Sequence, residues 1–333
     1  MKIAIVKLSA LGDIIHAMVV LQFIKKYNQQ IEIDWIVDEA YIDLFINQPD
    51  VNKVHSVKLK KAKQLKSIFL LLKELTKVQK FGPYDLVIDM QGLIKSAVVS
   101  HLINSRLTLG FHKSSIRESV ASIFYNNTFK YGYDENVIDR NVELITYALG
   151  LDSNRIEIKH KSPFLHSSQI FVNTNLSKIK KNIILIPGAS HKSKRYPLLN
   201  FAALVTLIDA NFIIIWGDSK EKIMAEKIKA QVPDVNVSEK LSIDSLISLV
   251  SQVDLVIGPD TGPTHISWAL NVPSITLFGP TPGYRNTYVT KINRILESNS
   301  KVNPSKINKN DFSIKDINIQ SILRVANELL HLK

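Results

Sequence analysis

The chain has 333 residues, 45% of them hydrophobic and 22% charged, with no cysteine and a formal net charge of +12. That length exceeds what one core usually spans, so two domains are expected, in a composition typical of globular proteins. The lack of cysteine excludes disulfide and thiolate chemistry and suits a reducing cytoplasm. The charge points instead to an anionic partner: nucleic acid, a phosphorylated substrate or an anionic membrane surface.

The N-terminus, MKIAIVKLSALGD, is interrupted by Lys7 and Asp13 and lacks the unbroken apolar core of a signal peptide. Residues 2–7 predict a first strand running into KLSALGDIIHAM, where a nucleotide fingerprint would sit. Only Gly12 is present, so G-x-G-x-x-G is absent and no dinucleotide is expected there. Asp13 stands where loop becomes helix, and reads either as an N-cap or as a carboxylate serving as general base. A helix over 14–27 and a strand over 31–37 follow. Residues 53–80 then hold nine lysines and a single glutamate. Leu65, Ile68, Phe69, Leu72 and Leu75 recur at helical spacing over 65–80, giving one apolar and one cationic face. The face reads as solvated surface or, with KLKKAK before it, as contact with something anionic. Sparse aromatics count against single-stranded nucleic acid, whose bases stack on rings. The apolar stretch SIFLLLKEL is too short to span a bilayer.

A strand over 85–89 ends in Asp89, Gln91, Gly92, Lys95 and Ser96. Gly92 permits a tight turn, and Lys95 falls in the first turn of a helix, where a cation opposes the dipole unless an anion is nearby. After a strand over 107–111, Arg117 and Glu118 alone read as a surface ion pair. The polar stretch 151–177 loses the strand–helix rhythm and marks the domain junction. A strand over 182–186 then opens ILIPGASHKSKRYPLLNF, with Ser190, Lys194 and Arg195 in the loop before a helix over 197–208. A strand over 212–216 ends at Trp216-Gly217, and Glu221 in the next first turn suits either the dipole or ribose hydroxyls. A helix over 243–250 precedes a strand over 254–257, which leads into DTGPTH. Here Asp260 or Thr261 caps a helix, Pro263 fits its first turn, and free N–H groups near Gly262 offer an anion site with His265 close by. A strand over 274–278 and a helix over 317–332 complete the chain. This alternation predicts parallel sheets with helices on both faces, in two Rossmann-like domains facing each other across a cleft. No two aspartates lie two residues apart and no H-E-x-x-H occurs, so neither a metal site nor a cofactor is expected.

The succession IVKLSALGDIIHA, YDLVIDMQGLIKSA, RESVASIFYN and DTGPTHISWAL with ITLFGPT resembles the ADP-heptose:lipopolysaccharide heptosyltransferases. Within them, QGLIKS and RESVASIFYN resemble the heptosyltransferase I branch. The resemblance covers most of the chain and is weakest between 151 and 180 and after 300. It implies an α/β GT-B fold with an acceptor-binding domain at 1–160 and an ADP-sugar-binding domain at 161–315. The C-terminal pattern at 316–333 is expected to be a helix packing back on either domain, the N-terminal one included. The implied reaction is inverting, metal-independent transfer of L-glycero-D-manno-heptose from ADP-heptose to the Kdo region of Kdo-lipid A. That makes the first heptose of the inner core, at the cytoplasmic face of an anionic inner membrane and with no nucleic acid.

The resemblance implies Asp13 as base on the acceptor hydroxyl, and Ser190, Lys194, Glu221, Asp260, Thr261, Gly262 and His265 around the donor. Lys58, Lys60, Lys61, Lys63, Lys66, Lys95 and Arg117 fall on the acceptor side. Relatives often carry two consecutive hydroxyls in the phosphate loop, whereas Ala189 precedes Ser190 here, so only Ser190 is carried over. A member adding a later heptose would share the donor half, and a basic nucleic-acid-binding protein would also explain the charge. Protection of the second domain by ADP but not by random DNA separates the last reading from the first two.

Overall fold

The computed structural model describes residues 1–151, 158–168, 170 and 175–332. The chain divides into two compact units, Met1–Lys161 and Ser162–Lys333. Within the expected junction, 152–157, 169 and 171–174 lie outside the described residues.

The first unit is a six-stranded parallel sheet of β1 (Lys2–Val6), β2 (Glu32–Asp38), β3 (Lys53–Val57), β4 (Leu86–Asp89), β5 (Thr108–Phe111) and β6 (Asn127–Phe129), in the order β3-β2-β1-β4-β5-β6. The second repeats the plan with β7 (Asn182–Leu185), β8 (Asn211–Ile214), β9 (Asn236–Val237), β10 (Leu255–Pro259), β11 (Ser274–Phe278) and β12 (Asn293–Glu297), in the order β12-β11-β10-β7-β8-β9. Both sheets start in the middle, grow to one edge, return to the middle and grow to the other. Their reversal points therefore lie between β1 and β4 and between β7 and β10, and loops leaving the carboxyl ends of those strands open a crevice there. Central strands are covered on both faces by helices, which is why they read as continuous apolar runs. In β1, Ile3, Ala4, Ile5 and Val6 are all buried, with Ile3 in register with Ile33 on one side and Leu86 on the other.

Four strands escaped the sequence reading: β3, β6, β9 and β12. They are the four sheet edges. The expected helix over 14–27 is two short helices, Leu11–Met18 and Val20–Tyr27. The helix expected over 65–80 is Ile68–Val78, and a separate short helix, Leu59–Gln64, precedes it. The chain breaks between them because Lys66 takes a left-handed φ of 50° and Ser67 caps the second helix by accepting the Leu70 N–H at 3.2 Å. The C-terminal helix, Ile319–Leu330, expected on either domain, contributes to the core of the second unit. Its stripe of Ile322, Val325, Ala326 and Leu329 joins the second unit's core with Phe201, Leu204 and Leu277. Ile322→Ala should accordingly cost about 2–5 kcal/mol, read as a lower urea midpoint for the second unit, whereas an unchanged midpoint would detach the helix from that core.

Candidate active site

In the first unit, the reversal point is built from the β1 and β4 loops. Asp89, at the end of β4, is fully buried and organises its own turn. It accepts the Gln91 N–H at 2.8 Å, the Gly92 N–H at 3.2 Å and the Tyr125 hydroxyl at 2.8 Å. Burial raises its pKa, and these hydrogen bonds to the charged form oppose the rise. Gly92 has a left-handed φ of 68°, and a Cβ there would lie 2.5 Å from Ile116 Cγ2, so only glycine suits the turn. The turn aims the Gln91 side chain at the β1 loop. Its Oε1 accepts the Leu8 and Ser9 N–H groups at 2.7 and 3.1 Å, and its Nε2 donates to Ser9 O at 2.8 Å. Lys95 Nζ donates to Ser9 Oγ at 2.9 Å. This brace presents Asp13 on the first turn of helix Leu11–Met18, exposed, with its Oδ2 accepting the Ala10 N–H at 3.2 Å. Ala10, not Asp13, is the N-cap position.

Beside this loop lies a pocket of about 910 Å³ lined by Lys60, Lys63, Lys66 and Lys95 above an apolar floor that includes Leu59, Leu71, Leu75 and Val98. The walls desolvate Lys95 and, with its neighbours Lys63 and Lys60, lower its pKa against the pull of Asp38 and Glu118. Asp38 caps the short helical segment Glu39–Phe45 and also accepts the Lys60 N–H at 3.0 Å. Of the expected acceptor-side cations, Lys58 is paired with Glu39 at 3.0 Å. Lys61 and Arg117 do not line the pocket. The Arg117–Glu118 ion pair gives way to another arrangement: the Glu118 carboxylate accepts the Ile94 N–H at 2.8 Å, at the start of helix Ile94–Leu102. Tyr41 was missed by the sequence reading. Burial, then the charges of Asp38 and Asp13, raise its pKa.

In the second unit, segments that follow β7, β10 and β11 meet around one carboxylate. Asp260 is not a helix cap. It is buried, with Oδ2 accepting from Lys194 Nζ at 2.7 Å, Thr281 Oγ1 at 2.9 Å and Asn286 Nδ2 at 3.3 Å, while Oδ1 meets His265 Nε2 at 3.0 Å. Burial alone would raise its pKa, but Lys194 and His265 hold it well below the usual carboxylate range. Thr261 is the N-cap and Gly262 the first residue of helix Gly262–Ala269. The phosphate-type loop is closed by Arg195, whose Nε and Nη2 both donate to Ala189 O at 3.1 and 3.0 Å, leaving Ser190 exposed. Glu221 folds over the same loop. Its Oε2 accepts the Gly217 N–H at 2.8 Å, and it lies so close that a Cβ on Gly188 would be 2.2 Å from its Cδ. Lys194, Asp260 and His265 are thus directly bonded, Glu221 joins them through Gly188, and Ser190 shares the loop with Lys194. Thr281 and Asn286 were missed. They follow β11 in a segment that reads simply as a turn.

Residues 71–313 match glycosyltransferase family 9 (heptosyltransferase). The chain belongs to glycosyltransferase family 9. It is 38% identical to lipopolysaccharide heptosyltransferase 1 of Campylobacter coli over 99% of both chains. It is 27% identical to lipopolysaccharide heptosyltransferase 1 of Salmonella typhimurium over 86% of this chain and 92% of that one. The solved E. coli heptosyltransferase WaaC with ADP shares the fold, with a TM-score of 0.81 and 22% identity across 99% of this chain and 100% of that one. This family 9 glycosyltransferase therefore has the α/β GT-B fold class, each of its units a Rossmann-like parallel sheet.

The Asp260 cluster gives the family 9 site a testable electrostatic signature. A carboxyl whose folded pKa is depressed contributes its full stability above the unfolded value of about 4 and loses it as pH falls further. Asp260→Asn, which leaves Lys194 buried without its anion, should cost about 3–5 kcal/mol at neutral pH. The gap from the wild type should narrow below about pH 4. A pH-independent gap in chemical unfolding would show that shape, not charge, fixes the cluster.

Proposed function

We propose that this enzyme transfers a heptose from ADP-heptose to the Kdo region of Kdo-lipid A, the first heptose of the lipopolysaccharide inner core, with inversion and without a metal ion. The observation that carries the reading is the joining of Lys194 to a helix start through Asp260 at the second sheet's reversal point. An ammonium beside a helix start, where the Gly262 N–H precedes Pro263, suits a diphosphate. The 38% identity to a lipopolysaccharide heptosyltransferase 1 along nearly the whole chain supports the acceptor assignment. We place the reaction at the cytoplasmic face of the inner membrane. Among the described residues no helix is long and apolar enough to cross a membrane.

In this reading Asp13 takes the proton of the acceptor hydroxyl while its oxygen attacks the anomeric carbon of the heptose from the face opposite the leaving group. The carbon–oxygen bond to the diphosphate breaks with its electron pair departing on ADP. Lys194, already fixed by Asp260, supplies the positive charge that a metal supplies elsewhere, and the N–H groups near Gly262 add to it. Ser190 donates to a phosphate oxygen, Glu221 accepts from ribose hydroxyls, and His265, steadied by Asp260, completes the donor site. The pocket lysines Lys60, Lys63, Lys66 and Lys95 receive the acceptor's phosphates and carboxylates. Lys58, Lys61 and Arg117 act around its rim.

ADP release from ADP-heptose should be rapid with Kdo-lipid A and slow with an already heptosylated acceptor, and the reverse order would move the enzyme to a later heptose. Asp13→Asn should lower turnover by roughly two to four orders of magnitude with ADP affinity near wild type, and EDTA should leave turnover unchanged. Normal turnover in the variant would reduce Asp13 to its hydrogen bond with Ala10. Changing Lys60, Lys63 and Lys66 together to Gln should raise the KM for the acceptor and flatten its salt dependence while the KM for ADP-heptose stays put.

A further inference from the structure

Helix Ile68–Val78 is amphipathic in the wrong direction for a globular core. A helix that packs against a sheet turns its apolar stripe inward. Here the buried residues are Glu74 and Val78, Leu70 and Leu75 are half-buried, and Ile68, Phe69 and Leu72 are exposed. Leu65 is 63% exposed, Ile68 74%, Phe69 79% and Leu72 57%, among the highest values for large apolar residues in the chain. They stand together, because Leu65 ends one helix and Ser67 starts the next. Ile94, on the rim of the adjoining lysine pocket, is exposed as well. The single acid of the region is buried beneath this crest, with Glu74 Oε2 accepting the Lys58 N–H at 3.0 Å. What remains around the crest is cationic: Lys61, Lys63, Lys66, Lys73 and Lys77.

We propose that this crest inserts into the interfacial layer of an anionic lipid bilayer, with Leu65, Phe69 and Leu72 entering the acyl boundary and the surrounding lysines meeting headgroup phosphates. Two observations choose a bilayer over other covers. A second copy of the chain would meet the crest through the same patch on both partners, setting one lysine ring against another. The crest also adjoins the pocket whose apolar floor and lysine rim suit an anionic lipid. That second observation rests on the reading of the pocket as the acceptor's; the exposure of the crest does not. The consequence is a bilayer contact with two components. Lysine attraction alone would fade as salt screens it, whereas inserted side chains keep a salt-resistant part.

The test uses the full chain and flotation with phosphatidylcholine vesicles, with and without phosphatidylglycerol, at low and high salt. Wild type should bind the anionic vesicles and keep measurable binding at high salt. Leu65→Ser/Phe69→Ser/Leu72→Ser, which touches no buried side chain and no pocket-lining residue, should lower partitioning on the order of 100-fold and abolish the salt-resistant part. Its melting temperature and its turnover on a deacylated, water-soluble Kdo acceptor should match wild type. Phe69→Trp should gain emission that is quenched by lipids brominated along the acyl chain. Undiminished vesicle binding by the triple variant, or emission from the Phe69→Trp variant that brominated lipids leave unquenched, would overturn the proposal. So would a concentration-dependent dimer that the triple variant dissolves in the absence of vesicle binding. If wild type bound vesicles as expected but never used the deacylated acceptor, the assigned reaction would fall and the bilayer contact would stand.

Discussion

A single buried carboxylate holds the second unit's site in shape. Asp260 gathers Lys194 from the β7 loop, His265 from the helix that follows β10, and Thr281 and Asn286 from the segment beyond β11. In a low-dielectric setting each of those hydrogen bonds is stronger than in water, and each uncompensated partner would be costly. The arrangement therefore fixes three loops at once. It also leaves the Lys194 ammonium, with N–H groups to spare, in a set position before any anion arrives. Electrostatic stabilisation of a leaving group is most effective when the donors need no rearrangement as charge develops.

The first unit solves the same architectural problem around an amide side chain. Gln91 ties the β4 turn to the β1 loop by three contacts with main-chain atoms, and Asp89 keeps that turn closed. The two sheets share a strand order, so both place their working loops at the same topological point. They differ in what they present there: a charged lattice in one, and in the other a braced loop carrying one exposed carboxylate beside a lysine-lined pocket.

How much of this was legible in the sequence depended on burial. The eight central strands are covered on both faces and announce themselves as apolar runs; of the edge strands, β6 and β9 are short, and β3 and β12 are partly polar, as in Lys53-Val54-His55-Ser56-Val57, and none did. Asp260 was readable because it follows a strand end at Pro259, and Lys194 and Glu221 because they lie in the loop and the first helical turn that follow β7 and β8. Thr281 and Asn286 were not, since nothing local in FGPTPGYRN reveals that a carboxylate some twenty residues earlier in the chain needs them. Asp260 was misread as a possible cap for the same reason: sequence shows the helix start but not the buried partners that claim the side chain. Periodicity identified the apolar face over 65–75, yet spacing gives a face without saying what it faces. Only the fold shows it turned outward.

The make-up of the edge strands has a consequence for the molecule in solution. β9 has two residues and β6 three, and β3 begins at Lys53 while β12 carries Arg294. A long bare apolar edge is a template on which another chain can add strands, whereas two of these edges offer few unpaired main-chain groups and the other two carry charge. A protein with an apolar crest has one sticky surface already, and a second route to self-association would compound the hazard. The clipped edges deny neighbouring chains a foothold for growing sheets, so crowding at high concentration is steered away from fibres.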